Sequence, residues 1–432
     1  MQEDLAHVVI IGCGFGGLHA AKALRDAPVR VTVLDRTNHH LFQPLLYQVA
    51  MAGLSAPSVA SPIRYVLRKQ SNATVLLAEA QRVDPAQRMV HTDIGPIHYD
   101  ALILATGART SYFSSPQWEA VAPGLKTLAD ALNMRKRVLE AFERAEAQDD
   151  LAERQADLTF AIVGGGPTGV ELAGTLAEIA RHTLADEFKR IDPRSARVVL
   201  LEGGPRVLPT FSERSSERAR RALITLGVEV LTGARVRDID AHGLTYTVGD
   251  EAPQRLASRT VLWGAGVQGT PIATTLGLTL DRGGRVPVQA DLSLANHPEV
   301  FVVGDLASLT IEGKAVPGVA PAAKQMGKHA ARNVVARLKG AATTPFRYRD
   351  YGSLATIGRN QGVVEIGRLR LWGWPGWAFW LFAHVYFLIG FRNRLVTLLD
   401  WAFSYFSFER YARIISADDK REARMQEAPP SS

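Results

Sequence analysis

Two segments of the chain share the spacing Gly-x-Gly-x-x-Gly, one over residues 12–17 and the other over residues 164–169. Loops with this spacing hold the pyrophosphate of a dinucleotide against backbone N–H groups. One such segment is a weak signal, but two segments roughly 150 residues apart predict two dinucleotides on one chain. Two dinucleotides held against each other can exchange a hydride. The predicted binding residues are Gly12, Gly14, Phe15, Gly16 and Gly17 in the first loop and Gly164, Gly166, Pro167, Thr168 and Gly169 in the second.

The residues around both loops favour a strand–turn–helix unit. Apolar runs over 8–11 and 160–163 predict buried strands, and a helical pattern follows each loop. In such a unit the first glycine makes the tight turn, the second admits the pyrophosphate and the third lets the helix pack closely on the strand. The alternative at each site is an ordinary glycine turn, and the repeated context argues against it.

A carboxylate ends the next strand in both units. Asp35 follows the apolar run over 29–34, and Glu202 follows the run over 198–201. An acid at this place binds ribose hydroxyls and repels a 2′-phosphate, so we expect NADH rather than NADPH at the second loop. Glu202 lies further from its loop than the usual ~20 residues. We therefore predict that residues 181–196 form a helix extension and a loop.

The composition excludes several classes of protein. The 432 residues exceed one ordinary domain, and the apolar content of 47% suffices for normal cores. The net charge of +7 suits nucleic acid or an anionic membrane, but no arginine-rich run, RNA-binding signature or zinc spacing supports nucleic acid or a metal site. Cys13 is the only cysteine, which excludes an internal redox dithiol. The chain enters a strand almost at once, so we expect no signal peptide.

The order of the motifs along the chain resembles that of flavoproteins with two dinucleotide-binding domains. After the first loop come ATG at 105–107, GGGPTGVELAG at 164–174, WGAG at 263–266 and VFVVGD at 300–305. The resemblance implies an α/β fold of two Rossmann-like domains, the second inserted into the first. It implies that FAD binds residues 1–118 and 289–345, that NADH binds residues 119–288, and that residues 346–432 form a separate C-terminal region.

The resemblance also implies which residues contact the cofactors. The FAD-binding residues would include Asp35, Arg36, Gln43, Pro44, Leu45, Thr106, Gly107, Gly304 and Asp305. The NADH-binding residues would include Glu202, Gly264, Ala265 and Gly266.

A narrower resemblance is to the type II NADH:quinone oxidoreductases. It is carried by HLFQPLLYQVA at 40–50, GVAPAAKQMG at 318–327 and HVYFLIGFRNR at 384–394. It implies that a hydride passes from NADH to FAD and that two electrons pass on to a membrane quinone, without proton pumping. A helix starting at Pro321 would point its N-terminus at the flavin.

Several side chains acquire roles from this resemblance. Glu171 would lie beside the nicotinamide and the flavin and orient the carboxamide or carry a proton; the alternative is a carboxylate that favours the helix dipole. Gln325 would donate to a quinone oxygen; the alternative is a hydrogen bond to protein backbone. Met326 and Phe387 would form apolar walls of the quinone site, and His384 would deliver a proton.

The C-terminal region predicts attachment to a membrane. Residues 371–391 are 21 positions without Asp, Glu, Lys or Arg, which is long enough for a membrane span. Glycine and proline interrupt the start of this stretch, and four tryptophans crowd the same end, as anchors at a membrane interface do: Trp372, Trp374, Trp377 and Trp380.

Residues 394–415 predict an amphipathic helix. Its apolar side would enter the lipid, and arginines would meet the phosphates: Arg392, Arg394, Arg410 and Arg413. We expect a monotopic protein on the cytoplasmic face of the inner membrane. A single span and an apolar interface of a homodimer are the alternatives, and the dimer is compatible with attachment. We expect residues 416–432 to be disordered.

Two other activities fit part of these observations. A sulfide:quinone oxidoreductase has the same predicted fold and tail but needs a redox cysteine pair, which this chain lacks. A soluble NAD(P)H-dependent flavoprotein reductase with a protein electron acceptor has no use for the tryptophan-rich tail.

Overall fold

A computed structural model describes residues 5–388, 391–407 and 410–415, and its first parallel sheet is built around the first glycine loop. Five parallel strands lie in the order Val300–Val302, Ala101–Leu104, His7–Ile11, Arg30–Asp35 and Ala73–Leu77. The central strand is buried along its whole length, as its uninterrupted apolar run predicts. Chain order reverses between the central strand and Ala101–Leu104. At such a reversal, ligands bind beyond the carboxyl ends of the strands.

The second parallel sheet repeats this plan around the second glycine loop. Its four strands lie in the order Val228–Thr232, Arg197–Glu202, Thr159–Val163 and Thr260–Trp263. All four belong to the part of the chain between Ala101–Leu104 and Val300–Val302, which are neighbours in the first sheet. The predicted α/β class with two dinucleotide-binding sheets is confirmed. The longer spacing to Glu202 is taken up by a π-helical turn, Ile179–Thr183, and a loop, as predicted.

Two crossing segments connect the sheets. Ala108–Thr110 leaves the first sheet and pairs antiparallel with Val267–Gly269, which returns from the second. Three-stranded antiparallel sheets flank the parallel ones: Ala80–Asp84, Met89–Thr92 and Gly95–His98; Ala234–Asp240, Gly243–Val248 and Gln254–Ala257. Short pairs of strands complete the set: His39–Leu41 with Ala60–Pro62, Val286–Pro287 with Ala307–Ser308, and Thr310–Ile311 with Lys314–Ala315.

The helices pack around these sheets. The α-helices are Phe15–Ala23, Leu46–Ala50, Ala56–Val59, Ile63–Leu67, Leu128–Ala147, Leu151–Asp157, Pro167–Glu178, Glu213–Thr225, Ala320–Leu338, Gly373–Phe387 and Phe391–Ser407. Short 3-10 turns are Gln43–Leu45, Pro116–Ala120, Pro193–Ser195, Pro271–Leu276 and Gly304–Leu306. The helix predicted from Pro321 begins one residue earlier and packs along Phe15–Ala23.

The C-terminal region adds a sheet, which packs on the helix Pro167–Glu178, and two helices, of which Phe391–Ser407 contacts the helix Ala56–Val59. The sheet consists of Ser353–Thr356, Gly362–Ile366 and Leu369–Trp372. The carboxylate of Glu365 accepts hydrogen bonds from the backbone and hydroxyl of Ser212 and from the hydroxyl of Ser215. Trp380 and Leu388 join the core that contains Phe160. The region is therefore part of the folded body.

Three of the four tryptophans and two of the arginines have protein partners where the sequence predicts contact with lipid, whereas Arg394 is exposed. Trp372 donates to the Ser215 hydroxyl, Trp377 stacks on Tyr405 and Trp380 is buried, so that only Trp374 of the four is mostly exposed. The guanidinium of Arg410 is buried and paired with Glu178 at 3.4 Å, and Arg413 pairs with Glu187. Long-range protein partners occupy side chains that the sequence assigned to lipid.

No helix among the described residues is long and apolar enough to cross a membrane. The apolar stretch predicted over 371–391 is instead divided between a strand and two helices. Residues 416–432 and the side chains of Arg392 and Phe406 lie outside the described residues.

Candidate functional site: a cavity shared by the two glycine loops

The first glycine loop has the geometry that a pyrophosphate requires. Gly12 has φ +90°, a backbone conformation that side chains disfavour. A Cβ on Gly17 would lie 1.8 Å from the carbonyl oxygen of Gly12, so glycine alone lets the helix approach the strand. A Cβ on Gly14 would meet no atom within 4 Å, which shows that its backbone borders open space. The three roles predicted for these glycines correspond to three different surroundings.

The second loop repeats these surroundings. Gly164 has φ +104°, and a Cβ on Gly169 would lie 1.8 Å from the carbonyl oxygen of Gly164. Gly166, like Gly14, borders open space and precedes the first residue of a helix. Gly264 packs against Gly169, and the backbone of Ala265 against Gly164. The WGAG segment thus supports the loop from the neighbouring strand.

Each loop is held by the carboxylate at the end of the next strand. Asp35 accepts a hydrogen bond from the backbone N–H of Cys13 at 2.7 Å. Glu202 accepts one from the equivalent residue, Gly165, and a second from Gly204, both at 2.6 Å. A Cβ on Gly165 would lie 2.9 Å from the Cβ of Glu202, so this position needs glycine to admit the longer acid. Both carboxylates therefore fix the loop, and their contact with a ribose stays a prediction.

Both loops open on one cavity of about 510 Å³ between the two sheets. The cavity is lined by most of the residues predicted to bind FAD and by three predicted residues of the second glycine-loop unit. They are Gly12, Gly14, Phe15, Gly16, Asp35, Arg36, Gln43, Pro44, Thr106, Gly107, Gly304, Asp305, Pro167, Thr168 and Glu171. The predicted residues that do not line it are Gly17, Leu45, Gly164, Gly166, Gly169, Glu202, Gly264, Ala265 and Gly266. Leu45 is fully buried in the core behind the cavity.

The helix Ala320–Leu338 begins at the cavity. Ala320 and Ala323, in its first turn and a half, line the wall, so N–H groups of the helix start face the interior. Asp305 lies on the same wall, beside Gly318, where a Cβ would lie 3.4 Å from the Asp305 carboxyl carbon. The predicted placement of this helix is consistent with an electron-rich ring edge bound at its N-terminus.

Glu171 is a buried carboxyl group in the cavity wall. It lies beyond the first turn of the helix Pro167–Glu178. Burial raises its pKa well above the usual value, and a hydrogen bond from the backbone N–H of Thr356 only partly opposes this. Glu171 therefore holds its proton to higher pH than a free glutamate does. This shift disfavours the alternative role of a carboxylate that stabilises the helix dipole.

His384 reaches the cavity from the C-terminal helix Gly373–Phe387. Its Nδ1 lies 2.7 Å from the carbonyl oxygen of Trp380, and the ring stacks on the Trp380 indole. Since a carbonyl only accepts, Nδ1 carries the hydrogen and Nε2 is an acceptor. Burial lowers the pKa of His384 to about 4. This low pKa opposes the predicted delivery of a proton by His384, and that role stays a prediction.

Comparison with known proteins identifies the family. The model of the pyridine nucleotide-disulphide oxidoreductase family matches residues 6–327. A type II NADH:quinone oxidoreductase of Mycobacterium tuberculosis is 46% identical over 416 residues, covering 93% of this chain and 89% of that protein. The chain belongs to the type II NADH:quinone oxidoreductases.

Solved structures share the fold of this type II NADH:quinone oxidoreductase chain. NDH2 of Plasmodium falciparum, in complex with NADH, superposes with a TM-score of 0.87 at 21% identity, over 95% of this chain and 100% of that one. The sulfide:quinone oxidoreductase of Aquifex aeolicus gives 0.73 at 18% identity, over 93% of this chain and 95% of that one. At these identities the likeness concerns the fold. The single cysteine, Cys13, is buried, and burial raises the pKa of its thiol, so it offers no reactive thiolate.

The remaining residues predicted for quinone lie outside the cavity wall. Both polar atoms of the Gln325 amide bind the backbone of Arg349: Nε2 donates to its carbonyl at 2.9 Å, and Oε1 accepts from its N–H at 3.0 Å. These are the contacts of the backbone alternative, and donation to a quinone stays a prediction. Met326 is buried in the core of the first sheet, so its prediction as a quinone-site wall is wrong. Phe387 is about half exposed beside the helix Ala320–Leu338.

Sequence reasoning missed a third segment of the cavity wall. Residues Lys126 and Thr127 line it where the helix Leu128–Ala147 begins. The Thr127 hydroxyl accepts from the Asp130 N–H at 3.1 Å, and the Asp130 carboxylate accepts from the Thr127 N–H at 2.7 Å. The Thr-x-x-Asp spacing was a readable signal for this helix start.

Tyr47 was also missed, although it belongs to a segment that carried the resemblance. Its ring lines the cavity, and its hydroxyl accepts a hydrogen bond from the Gln48 amide at 2.9 Å. The Gln48 amide oxygen in turn accepts from the Trp401 indole at 2.7 Å. This connection to the C-terminal helix spans 353 positions and has no local sequence signal.

Proposed function

We propose that this protein transfers a hydride from NADH to bound FAD and two electrons from there to a membrane quinone, without pumping protons. The observation that carries the proposal is the single cavity on which both glycine loops open. A hydride moves only between groups in contact, and this cavity lets the reacting rings of two dinucleotides meet. Membership of the type II NADH:quinone oxidoreductases supports the same activity.

The residues of the first loop fit FAD. The backbones of Gly14 and Gly107 border open space, which leaves room for a pyrophosphate and a ring. Asp35 would face the adenosine ribose, while Gly304 and Asp305 would hold the ribityl chain. When bound, the flavin supplies the redox chemistry between hydride donor and quinone. The protein contributes the electrostatics of the helix start at Ala320.

The second loop would hold NADH with its nicotinamide in the cavity. Gly164, Gly166 and Gly169 would bind the pyrophosphate, and Glu202 the adenosine ribose. Thr168 and Glu171 lie where the nicotinamide would enter. Glu171, whose burial raises its pKa, can orient the carboxamide by donating its proton in a hydrogen bond, or pass that proton on. Exclusion of water by the buried wall favours this donation over exchange with solvent.

Quinone would reach the flavin from the side covered by the C-terminal helices. Of the 21 exposed large apolar side chains in the described part of the chain, 10 lie between Trp374 and Ile414. We define the apolar face as Phe382, Tyr386, Phe387, Leu395, Leu398, Leu399 and Phe403. Such a concentration of exposed apolar groups suits the acyl boundary of a bilayer. His384 then offers Nε2 as an acceptor for a quinol hydroxyl.

The location and assembly belong to the same proposal. We assign the protein to the cytoplasmic face of the inner membrane, attached through the apolar face. A homodimer is compatible with attachment if part of the apolar face stays free. The net charge of +7 favours an anionic lipid surface.

Anaerobic mixing of the purified protein tests the activity. We expect a yellow protein that releases FAD, and not FMN, on denaturation. NADH should bleach the flavin absorbance, and menadione added next should restore it. A protein that is bleached but restored only by an iron–sulfur or other electron-carrier protein would be a soluble reductase instead. A protein without flavin would contradict the proposal altogether.

A further inference from the structure

We propose that Lys324 is a catalytic residue at the mouth of the cavity, where its ammonium group binds a quinone oxygen and supplies one of the two protons needed to form the quinol. The inference rests on the proposed quinone reduction and names a residue for its protonation step.

The first observation is the position of the Lys324 side chain. Its Nζ lies 5.0 Å from the centre of the Phe15 ring and 4.6 Å from the centre of the Phe387 ring. Phe15 is part of the cavity wall, whereas Phe387 belongs to the apolar face. The ammonium group therefore stands between the cavity and the surface from which a quinone would arrive. The preceding residue, Ala323, lines the cavity itself.

The second observation is the absence of a counter-charge. Within residues 5–388, 391–407 and 410–415, no carboxylate forms an ion pair with Lys324. Aromatic faces attract a cation but do not neutralise it. A half-buried ammonium group that lacks an anion is arranged for a ligand on which negative charge develops, and a quinone under reduction is such a ligand.

The groups that face Lys324 are themselves basic. His19 and Lys22 come from the helix Phe15–Ala23, Lys328 comes from the same helix as Lys324, and His40 comes from the strand His39–Leu41. The C-terminal helix contributes Phe387, which is uncharged. Burial, followed by the charges of Lys328 and Lys22, lowers the pKa of Lys324 to about 8. A lysine with this pKa is protonated at pH 7 and is acidic enough to give the proton up.

The proposed step balances as follows. The quinone gains an electron pair and one proton as a hydride equivalent from the reduced cofactor. An N–H bond of Lys324 breaks while the second O–H bond of the quinol forms, which leaves a neutral amine. The amine regains its proton from water at the cavity mouth before the next turnover.

Three variants separate this role from a structural one. Lys324→Gln removes both charge and proton, and Lys324→Arg keeps the charge but does not release a proton in this pH range. Lys328→Gln removes a neighbouring charge at an exposed position and serves as the matched control. Flavin content and thermal midpoint of each variant should equal those of the wild type.

The readouts are flavin reoxidation by menadione in stopped flow between pH 6 and 9.5, and equilibrium binding of menadione to the oxidised protein followed by flavin absorbance. We expect wild-type reoxidation to slow above about pH 8, where Lys324 loses its proton. Lys324→Gln should reduce reoxidation at pH 7 at least about tenfold, with a flat pH profile and weaker binding. Lys324→Arg should bind as the wild type does but also give a flat profile.

Lys328→Gln should leave reoxidation at pH 7 within about twofold and move the alkaline decline to higher pH, because it removes a charge that lowers the pKa of Lys324. Flavin reduction by NADH should remain within about twofold in all variants. If Lys324→Gln reoxidises as fast as the wild type, or if its rate still declines at alkaline pH, the role of Lys324 is overturned. The proposed function is not affected by either result. A wild type whose reduced flavin menadione does not reoxidise would overturn the proposed function instead.

Discussion

Three carboxyl groups of the two glycine-loop units, Asp35, Glu202 and Glu171, have different roles because their surroundings differ. Asp35 and Glu202 each accept backbone N–H groups of a glycine loop, which suits a charged acceptor. Glu171 is buried with one backbone donor, and burial raises its pKa well above the usual value. Asp35 and Glu202 thus serve as acceptors that fix the two loops, while Glu171 is a carboxyl group that retains its proton to higher pH.

The buried proton of Glu171 predicts how stability depends on pH. An unfolded glutamate loses its proton near pH 4.3. The folded state keeps the proton to higher pH, so the contribution of Glu171 to stability falls as pH rises from there toward the folded pKa. The variant Glu171→Gln carries an amide that cannot titrate and can still accept from Thr356. We expect the thermal midpoint of the variant, measured relative to that of the wild type, to rise as the pH is raised from 5 to 8. A wild type that gains on the variant would show that Glu171 is charged in the folded protein.

Glu202 predicts the choice of nicotinamide cofactor. Its charge should repel the 2′-phosphate of NADPH. The nearby cation that could attract this phosphate, Arg206, donates to the Pro209 carbonyl at 3.0 Å. We expect wild-type kcat/KM to favour NADH, and Glu202→Gln to improve the relative use of NADPH about tenfold. Glutamine is the better replacement than serine, because its amide oxygen still reaches a backbone N–H of the loop. Equal use of both donors by the wild type would refute the assignment.

Among the elements, the helix Ala320–Leu338 has its first turn in the cavity wall and must be kept in that position. Gln325 clamps this helix to the segment after it by two hydrogen bonds to Arg349. The Gln325 amide bonds to both the N–H and the carbonyl of Arg349, as a neighbouring strand does in a sheet. The start of the helix is therefore positioned by a contact at its second turn.

This clamp predicts a loss of stability in Gln325→Ala. Two backbone groups of Arg349 would lose their partner, and because Arg349 is exposed and water replaces part of the lost bonding, the cost is about 0.5–1 kcal/mol of unfolding free energy. Flavin reduction by NADH and reoxidation by quinone should both stay within about twofold, and Arg332→Ala, on the exposed side of the same helix, should change neither stability nor rates. A tenfold loss of reoxidation with unchanged stability would restore Gln325 as a donor to quinone.

Local sequence predicts an element well when the role of that element depends on the conformation of its own backbone. The glycine loops, their strands and the two acids were predictable because a close backbone approach needs glycine at fixed spacing. The C-terminal region was predicted as helical and amphipathic, but the partners of its polar groups were not. Arg410 pairs with Glu178 and Trp372 with Ser215, both across more than 150 positions. Local composition predicts that a tryptophan or an arginine will bury its stem and bind an acceptor, and it does not predict which acceptor.

In the molecule as a whole, the apolar face lies on two helices whose other side packs against the folded body. Trp380 and Trp401 pack inward against Tyr47 and Gln48, while Leu395, Leu399 and Phe403 point outward. The helices are thus fixed to the protein on one side and unpartnered on the other. The attachment proposed above would therefore place the cavity mouth at the level of the bilayer surface.

Charge on the apolar face should detach the protein without disturbing its core. We expect the triple variant Leu395→Glu, Leu399→Glu and Phe403→Glu to lose sedimentation with anionic vesicles. It should keep NADH oxidation with a soluble acceptor and lose most activity with a quinone dissolved in the vesicles. The matched control replaces three exposed apolar residues elsewhere, Leu77, Ile94 and Leu151, by glutamate and should sediment as the wild type does. A triple variant that still sediments, or a control that does not, would place the membrane contact elsewhere.

The position of Val300–Val302 in the chain determines when the first sheet can be completed during synthesis. Val300–Val302 pairs with Ala101–Leu104 only after roughly 200 further residues have been synthesised. During that interval the second sheet, whose strands end at Trp263, is complete and can fold, while the first still shows an unpaired strand edge. Gly304, Asp305 and the helix from Ala320 are likewise synthesised only after the whole second sheet. A chain whose synthesis stops before Val300 would therefore carry a complete second sheet beside a first sheet with an exposed strand edge, which is prone to aggregation.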